Sequence, residues 1–353
     1  MSERAGESYR ATFRRHLPVA WKGRFAIAGL VLGVLVPASC RQDADGRSRP
    51  QAEKHIVVVA VGKDDPTWPV IEATAQWFES QRRFVTVEAV APEKTSPVEQ
   101  QRILEALATQ RVDAVCVAPV DPLAVRQVIK DLVRRGKRVA LIGRDVPDSG
   151  RFCYCGPSEF AIGQAAAEAC ALAVRSRSNT VMLLHAGADD AVYGSRYAGF
   201  KHELPVVGDV HLLREIDCGG QWLDAAHIVR KESRMYPRVG CWVMLDDWPL
   251  RVVRPSHSLL PLGCGIVLCC NSPRYIDRMR NGQIMAMIAF DYRRAVQNAI
   301  LIAADLGNAP MEENESSWIL PSEIITAAEL DAYEQRWIEW GRREPGDGAR
   351  SSD

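Results

Sequence analysis

Arg144 and Asp145 directly follow the apolar run "VALIG" of residues 139–143, so a charged pair stands at the end of a predicted buried strand. A guanidinium stays protonated and presents five N–H donors, and it therefore needs partners that carry oxygen atoms. The partner is either the protein itself, through Asp145 or a neighbouring acid, or a ligand that binds at this point. The residues alone leave both alternatives open.

The sequence does not carry the common enzyme motifs. "LLHAGADDAVYG" follows an apolar run as a phosphate loop would, but it lacks the glycine spacing of a dinucleotide fingerprint and the Gly-Lys-Ser/Thr of a Walker motif. There is no Gly-x-Ser-x-Gly elbow. The histidines show no paired ligand spacing, and no Cys-x-x-Cys pair is present. We therefore predict a binding protein rather than an enzyme, with no metal and no cofactor.

Length and charge narrow the class of protein further. The 353 residues are enough for two ordinary domains. The 44 basic residues equal the 44 acidic residues in number, so no net field attracts nucleic acid or an anionic membrane surface. A hydrophobic content of 47% is that of a globular chain.

The first 53 residues have a different composition. Basic residues precede "FAIAGLVLGVLVPASC", an apolar run of signal-peptide length that is short for a membrane span. Residues 1–40 are predicted to be an export signal, and its end resembles the lipobox of bacterial lipoproteins, with Cys40 as the lipidated residue. Pro37 departs from the usual Leu, so simple cleavage near Ser39 and an uncleaved anchor stay open. Residues 41–53 read as a polar tether.

From residue 55 onward, apolar strand-like runs alternate with amphipathic helical patterns. The strand-like runs include "HIVVVAVG", "FVTVEAVA", "AVCVAPV", "RVALIG", "TVMLLHAG", "DVHLLREI", "CWVMLD", "GIVLCCN" and "QIMAMIAF". Strands that are apolar on both faces belong to parallel sheets covered by helices on both sides. The rhythm restarts after "RFCYCG", which predicts two similar α/β lobes.

The ten cysteines do not read as a disulfide framework. Cys116 and Cys241 lie inside apolar runs, and adjacent Cys269 and Cys270 face opposite sides of a strand. Most are predicted to be small buried hydrophobic residues. One or two disulfide bridges are an alternative that the spacing neither assigns nor excludes.

The chain from about residue 55 to 330 resembles the type I periplasmic sugar-binding proteins. The resemblance is carried in order by "VDAVCVAPVDPLAVRQVIKDLVRRGKRVALIGRDVP", "YCGPSEFAIGQAA", "SRYAGF", "MLDDWPL" and "NSPRYIDRMRNGQIMAMIAFD", and "SSWILPSEIITAAEL" matches the last return strand. It implies two doubly wound, Rossmann-like lobes joined by three crossings, with a small ligand clamped between them. The implied lobes are residues 54–155 with 291–318 and residues 156–290 with 319–340, followed by a frayed tail, 341–353.

The resemblance also implies a ligand site. The matching positions are Asp65, Trp68, Arg144, Arg196, Asp246, Asn271 and Phe290. Two departures alter the site: Gly143 replaces the carboxylate that normally precedes the arginine, and Phe290 replaces a glutamine. Losing a carboxylate and gaining an aromatic ring exchanges hydrogen bonds for an apolar surface, which is enough to change the ligand.

Several of these residues have a purely structural alternative. Arg196, like Arg144, can pair with an acid of the protein. Trp68 can cover a helix start, Asp246 can cap the helix that follows, and Phe290 can belong to the core.

The expected function is an exported, lipid-anchored solute-binding protein at the periplasmic or cell-surface side of the membrane. It would be a monomer that captures a sugar, polyol or sugar acid and delivers it to an ABC importer, without binding nucleic acid. The alternative is a sensor that reports the ligand to a membrane receptor or kinase. The two arginines and two aspartates of the predicted site balance, which admits neutral and acidic sugars alike.

Overall fold

The computed structural model describes residues 54–82, 84–174, 178–190, 192–254, 256–261, 263–304 and 317–342. The predictions for the export signal with Cys40, for the tether and for residues 343–353 of the tail lie outside these ranges. None of the helices in these ranges has the length and apolar character required to span a membrane.

The first of two sheets has six parallel strands in the order β2-β1-β3-β4-β5-β11. Its strands are β1 (Lys54–Val59), β2 (Val85–Val90), β3 (Ala114–Val117), β4 (Arg138–Ile142), β5 (Cys153–Pro157) and β11 (Ser317–Leu320). Ile56 and Val58 point to one hydrophobic cluster, whereas Val57 and Val59 point to another, because side chains alternate along a strand.

Helices cover both faces of this sheet, as apolar residues on both faces require. The face of Ile56 is covered by α1 (Trp68–Gln81) and α8 (Tyr292–Ala303), and the face of Val57 is covered by α2 (Pro97–Leu107) and α3 (Pro122–Arg134). Asp121 caps α3 by accepting hydrogen bonds from the amides of Leu123 and Ala124, and Pro122 occupies the first turn. These caps fix where the loops after the strands turn into helices.

The second sheet has the order β7-β6-β8-β9-β10-β12, and only β12 runs antiparallel among these strands. Its strands are β6 (Thr180–His185), β7 (His211–Asp217), β8 (Cys241–Met244), β9 (Gly265–Leu268), β10 (Ile284–Ala289) and β12 (Glu323–Ile325). Its helices are α4 (Glu159–Val174), α5 (Gly194–Glu203), α6 (Trp222–Met235), α7 (Ile276–Arg280) and α9 (Leu330–Trp340).

Helices α4 and α5 pack closely on one face of the second sheet. Gly163 allows this approach, because a Cβ built there would lie 2.0 Å from the carbonyl oxygen of Arg196. The contact sets the position of α5, and with it the position of the Arg196 side chain.

The two parallel α/β sheets predicted from the sequence are confirmed. Residues 155 and 318, where the sequence places two of the crossings, lie inside β5 and β11, and the exact division into lobes stays a prediction. Of the nine cysteines in the described ranges, all are free and seven are buried, which confirms that most of them act as small hydrophobic residues.

Candidate functional site

A cavity of about 520 Å³ lies where the carboxyl ends of strands from both sheets meet. Open α/β sheets present their ligand sites at this edge, because the loops that follow the strands converge there. The walls include residues that follow β1, β3 and β4 of the first sheet, and others that follow β6, β8, β9 and β10 of the second.

Arg144 follows β4 and pairs with Asp246, which follows β8 of the other sheet. Its Nη2 lies 3.1 and 3.0 Å from the two carboxylate oxygens of Asp246, and its Nη1 donates to Tyr193 Oη at 3.0 Å. Tyr193 Oη in turn donates to Asp246 Oδ2 at 2.9 Å. In this structure the oxygen atoms that Arg144 contacts belong to the protein, and its pair with Asp246 joins the two sheets across the cavity. The expectation that Arg144 also contacts a ligand stays a prediction.

Asp246 is only 1% exposed and is charged all the same. Burial opposes its ionisation, but the positive charges of Arg144, Arg251 and Arg196 outweigh that effect and lower its pKa to about 2. The alternative that Asp246 or Asp247 caps the following helix is not what the structure shows. The oxygens of Asp246 accept from Arg144, Tyr193 and the amide of Asp247, and Asp247 precedes the short helix of residues 248–250 without a side-chain capping bond.

Arg196 lines the cavity but is held inside the protein. Its guanidinium donates to Glu159 Oε2 at 2.7 Å through Nε, and Nη1 donates to the carbonyl oxygen of Leu245. Its guanidinium carbon lies 5.4 Å from the ring centroid of Tyr193. Arg196 therefore supports the ring that carries one member of the Arg144 network.

Asp247 and Arg251 extend the charged wall beside Asp246. Asp247 accepts from Arg251 Nε through Oδ1, and from Tyr275 Oη at 2.8 Å through Oδ2. Arg251 Nη2 also lies 3.7 Å from Asp246 Oδ2. The sequence prediction did not include Arg251. This residue lies only four positions after Asp247, in the turn that contains Trp248 and Pro249.

Asp65 follows β1 and is tied to its own loop. Its Oδ1 accepts from the amide of Thr67 at 3.0 Å and from Thr67 Oγ1 at 2.6 Å. Its Oδ2 lies 3.4 Å from Nη2 of Arg274, a residue that the sequence prediction also missed. Trp68 starts α1 and packs half-buried against the hydrophobic core, and the structure does not bring it to the cavity wall.

Asn271 reaches the cavity after β9, but its amide group binds the protein. Nδ2 donates to the carbonyl oxygen of Phe290 at 2.9 Å, and Oδ1 accepts from Tyr333 Oη at 3.1 Å. These bonds fix the ends of β9 and β10 relative to α9.

Gly143, Phe290 and Tyr292 form one apolar wall of the cavity. Gly143 has a φ of +73°, a conformation that favours glycine. A Cβ at this position would lie 3.4 Å from Phe290 Cζ and 3.4 Å from Tyr292 Cε2. Both rings are buried and both line the cavity, so Phe290 is at once a core residue and a wall residue.

More charged residues line the described cavity than the sequence indicated. The two arginines and two aspartates chosen from the sequence all line it, and four further aspartates and two further arginines do so as well (Asp64, Asp121, Asp190, Asp247, Arg251 and Arg274). Each of the four arginines contacts a carboxylate of the protein. The aspartates of the lining therefore outnumber its arginines by six to four.

Aromatic rings other than Trp68 line the cavity. Besides Phe290 and Tyr292 they are Tyr193 and Trp248, whose rings meet edge to face with centroids 5.0 Å apart. Within the described residues, no group of three or more His, Cys, Asp and Glu side chains has the arrangement of a metal site.

Comparison with known proteins gives one family match, and its model describes a periplasmic binding protein domain. It matches residues 56–309. No curated protein sequence is similar enough to this chain to count as a match.

Solved structures of similar fold cover most of the chain. A glucose-galactose binding protein from Geobacillus stearothermophilus is 19% identical, with a TM-score of 0.63 over 79% of this chain and 99% of that chain. An ABC transporter solute-binding protein from Agrobacterium vitis, bound with alpha-D-tagatopyranose, is 16% identical, with a TM-score of 0.64 over 80% and 98%. The Caulobacter myo-inositol binding protein is 17% identical, with a TM-score of 0.61 over 83% and 100%. At these identities the structures establish a shared fold.

Proposed function

This chain belongs to the periplasmic binding protein family, and we propose that it captures a neutral, polyhydroxylated small molecule between its two lobes for delivery to an ABC importer. The observation that carries the proposal is the cavity at the meeting edge of the two sheets, crossed by the Arg144, Asp246 and Tyr193 network. A solute in this cavity touches both lobes and therefore stabilises their closed arrangement.

The polar groups of the cavity suit hydroxyl groups. Carboxylates accept hydrogen bonds from hydroxyls, guanidinium groups donate to them, and the rings of Tyr193 and Trp248 offer surfaces for the C–H faces of a sugar ring. The structural neighbours named above are a glucose-galactose binding protein, a solute-binding protein bound with alpha-D-tagatopyranose and a myo-inositol binding protein, which supports a saccharide or cyclic polyol as the solute.

The charge of the cavity favours a neutral solute over a sugar acid. Arg144, Arg196, Arg251 and Arg274 each contact a carboxylate, and the aspartates outnumber them. An anion would have to displace a carboxylate from its arginine and would meet the remaining negative charge at close range.

The rest of the proposal concerns location and partners. The activity is binding and not catalysis. The export signal of residues 1–40 takes the protein across the membrane, and Cys40 carries the lipid anchor. An ABC permease receives the closed, solute-loaded monomer.

The test is a thermal-shift screen of the purified protein against pentoses, hexoses, cyclic polyols and sugar acids, with titration calorimetry of each compound that raises the melting temperature. We expect a neutral saccharide or polyol to bind, and Arg144→Ala to weaken it at least tenfold. Arg134→Ala is the matched control, since Arg134 is exposed at the end of α3. Binding only of acidic compounds, or of none, would contradict the proposal.

A further inference from the structure

The wall formed by Gly143, Phe290 and Tyr292 contains both departures from the family pattern, and the structure shows that they are one feature. A side chain at Gly143 would need a φ of +73° and would begin 3.4 Å from ring carbons of Phe290 and Tyr292. A side chain at residue 143 would therefore lie in van der Waals contact with both rings, in a backbone conformation that favours glycine. Gly143 and Phe290 consequently belong to the same wall of the cavity.

This wall is supported from behind. The backbone carbonyl oxygen of Phe290 accepts a hydrogen bond from Asn271 Nδ2, and Asn271 Oδ1 accepts one from Tyr333 Oη. The ring of Tyr292 stacks on Trp337, with centroids 5.8 Å apart and planes 29° apart. Both rings are buried at the base of the wall, so their packing against the core favours the arrangement seen here.

Apolar residues adjacent to this wall in the sequence also line the cavity. They are Ile142, which precedes Gly143, and Ile288 and Ala289, which precede Phe290. The polar network begins at Arg144, the residue after Gly143. A solute that reaches Arg144 with one edge can therefore present another edge to the ring of Phe290 and these apolar residues.

We propose that this wall selects a solute in which that edge lacks a hydroxyl group: a deoxy sugar or a methyl-bearing polyol. This inference rests on the proposed function. A hydroxyl turned to the wall loses its hydrogen bonds to water and finds no replacement, whereas a methyl group is removed from water at no such cost. The discrimination expected from an apolar surface against an added hydroxyl is roughly tenfold to hundredfold in affinity.

The experiment compares sugars that differ only in the hydroxyl at C6. The purified protein is titrated with L-fucose against L-galactose and with L-rhamnose against L-mannose, and the ratio of the two Kd values is measured in each pair. We expect the deoxy member of at least one pair to bind about tenfold more tightly. Phe290→Gln should bring that ratio close to one, because its amide gives the hydroxyl a partner.

A second variant separates the loss of the preference from a loss of fold. Phe290→Leu keeps the surface apolar, so the deoxy sugar should stay the tighter ligand even where both affinities fall. The melting temperature of each variant without ligand reports its folding.

Each outcome has a defined meaning. Equal or tighter binding of the hydroxylated member by the parent, or an unchanged ratio in a folded Phe290→Gln variant, would overturn the inference and leave the proposed function standing. If no saccharide or polyol binds the parent at all, the proposed function fails and this inference fails with it.

Discussion

Gly143 and Arg144 are neighbours in the chain, yet they begin two walls of opposite character. Arg144 leads into a network of charges that joins the two sheets, and Gly143 leads into a packed surface of aromatic rings. The charged wall is defined by hydrogen bonds that a ligand can exchange, whereas the apolar wall is defined by shape. If the proposed function holds, the turn after β4 contributes both an attractive and an excluding surface to the binding of the solute.

The largest effect is expected where the charged wall loses its buried acid. Asp246→Ala leaves Arg144, Arg251 and the Tyr193 hydroxyl without their common acceptor, so the free energy of unfolding should fall by about 3 kcal/mol. Urea denaturation measures the change. Asp331→Ala, at an acid that is 95% exposed, is the control and should change it by less than about 0.5 kcal/mol. Equal effects of the two variants would mean that the network does not join the sheets.

The apolar wall is tested by placing the missing carboxylate in it. Gly143→Asp should lower the free energy of unfolding by about 2 to 3 kcal/mol, since the change combines an unfavourable φ with contact against two rings.

Gly282→Asp provides the matched control for the backbone contribution. Gly282 has the same φ of +73°, but a Cβ there meets open space. Gly143→Asp should therefore lower the free energy of unfolding by at least about 1 kcal/mol more than Gly282→Asp does. If the two variants lose the same stability, the rings do not crowd residue 143 and the coupling with Phe290 is wrong.

A smaller effect is expected from pH, and it isolates the charge of Asp246. Its pKa is about 2 in the folded protein and near 3.8 ordinarily, so its contribution is fully present above pH 4 and is lost as the pH falls towards 2. The free energy of unfolding should fall by about 2 kcal/mol when this contribution is lost. Unfolding by urea at pH 5 and pH 2.5 should show a larger decrease for the parent than for Asp246→Asn, and parallel curves would contradict the assignment.

The fold was predictable because its signals are local and periodic. β1, β3, β4 and β8 are short apolar runs that can only be buried on both faces, and α3 has a capping aspartate and a proline at its start. Sequence order then gave two successive α/β units, and the structure confirms them.

The site was predictable in its location but not in its pairings. Asp65, Arg144, Arg196, Asp246, Asn271 and Phe290 all line the cavity, as the family resemblance implied, whereas Trp68 does not. The pair of Arg144 and Asp246 spans 102 residues of sequence, and Arg274 with Asp65 spans 209. No local pattern encodes such contacts, because they depend on how the two sheets approach each other.

The coupling of Gly143 with Phe290 was hidden for a similar reason. The sequence showed two separate departures 147 positions apart, and only the distance from Gly143 to the ring of Phe290 makes them one wall.

A crystal structure of the protein with the saccharide or polyol that binds most tightly is the decisive test of the two walls. We expect the solute to lie in the cavity between the sheets, with an oxygen atom within hydrogen-bond distance of Arg144 and a carbon edge against Phe290. A solute bound elsewhere, or one whose hydroxyls face Phe290 while Arg144 makes no contact with it, would show that these walls do not form the binding site.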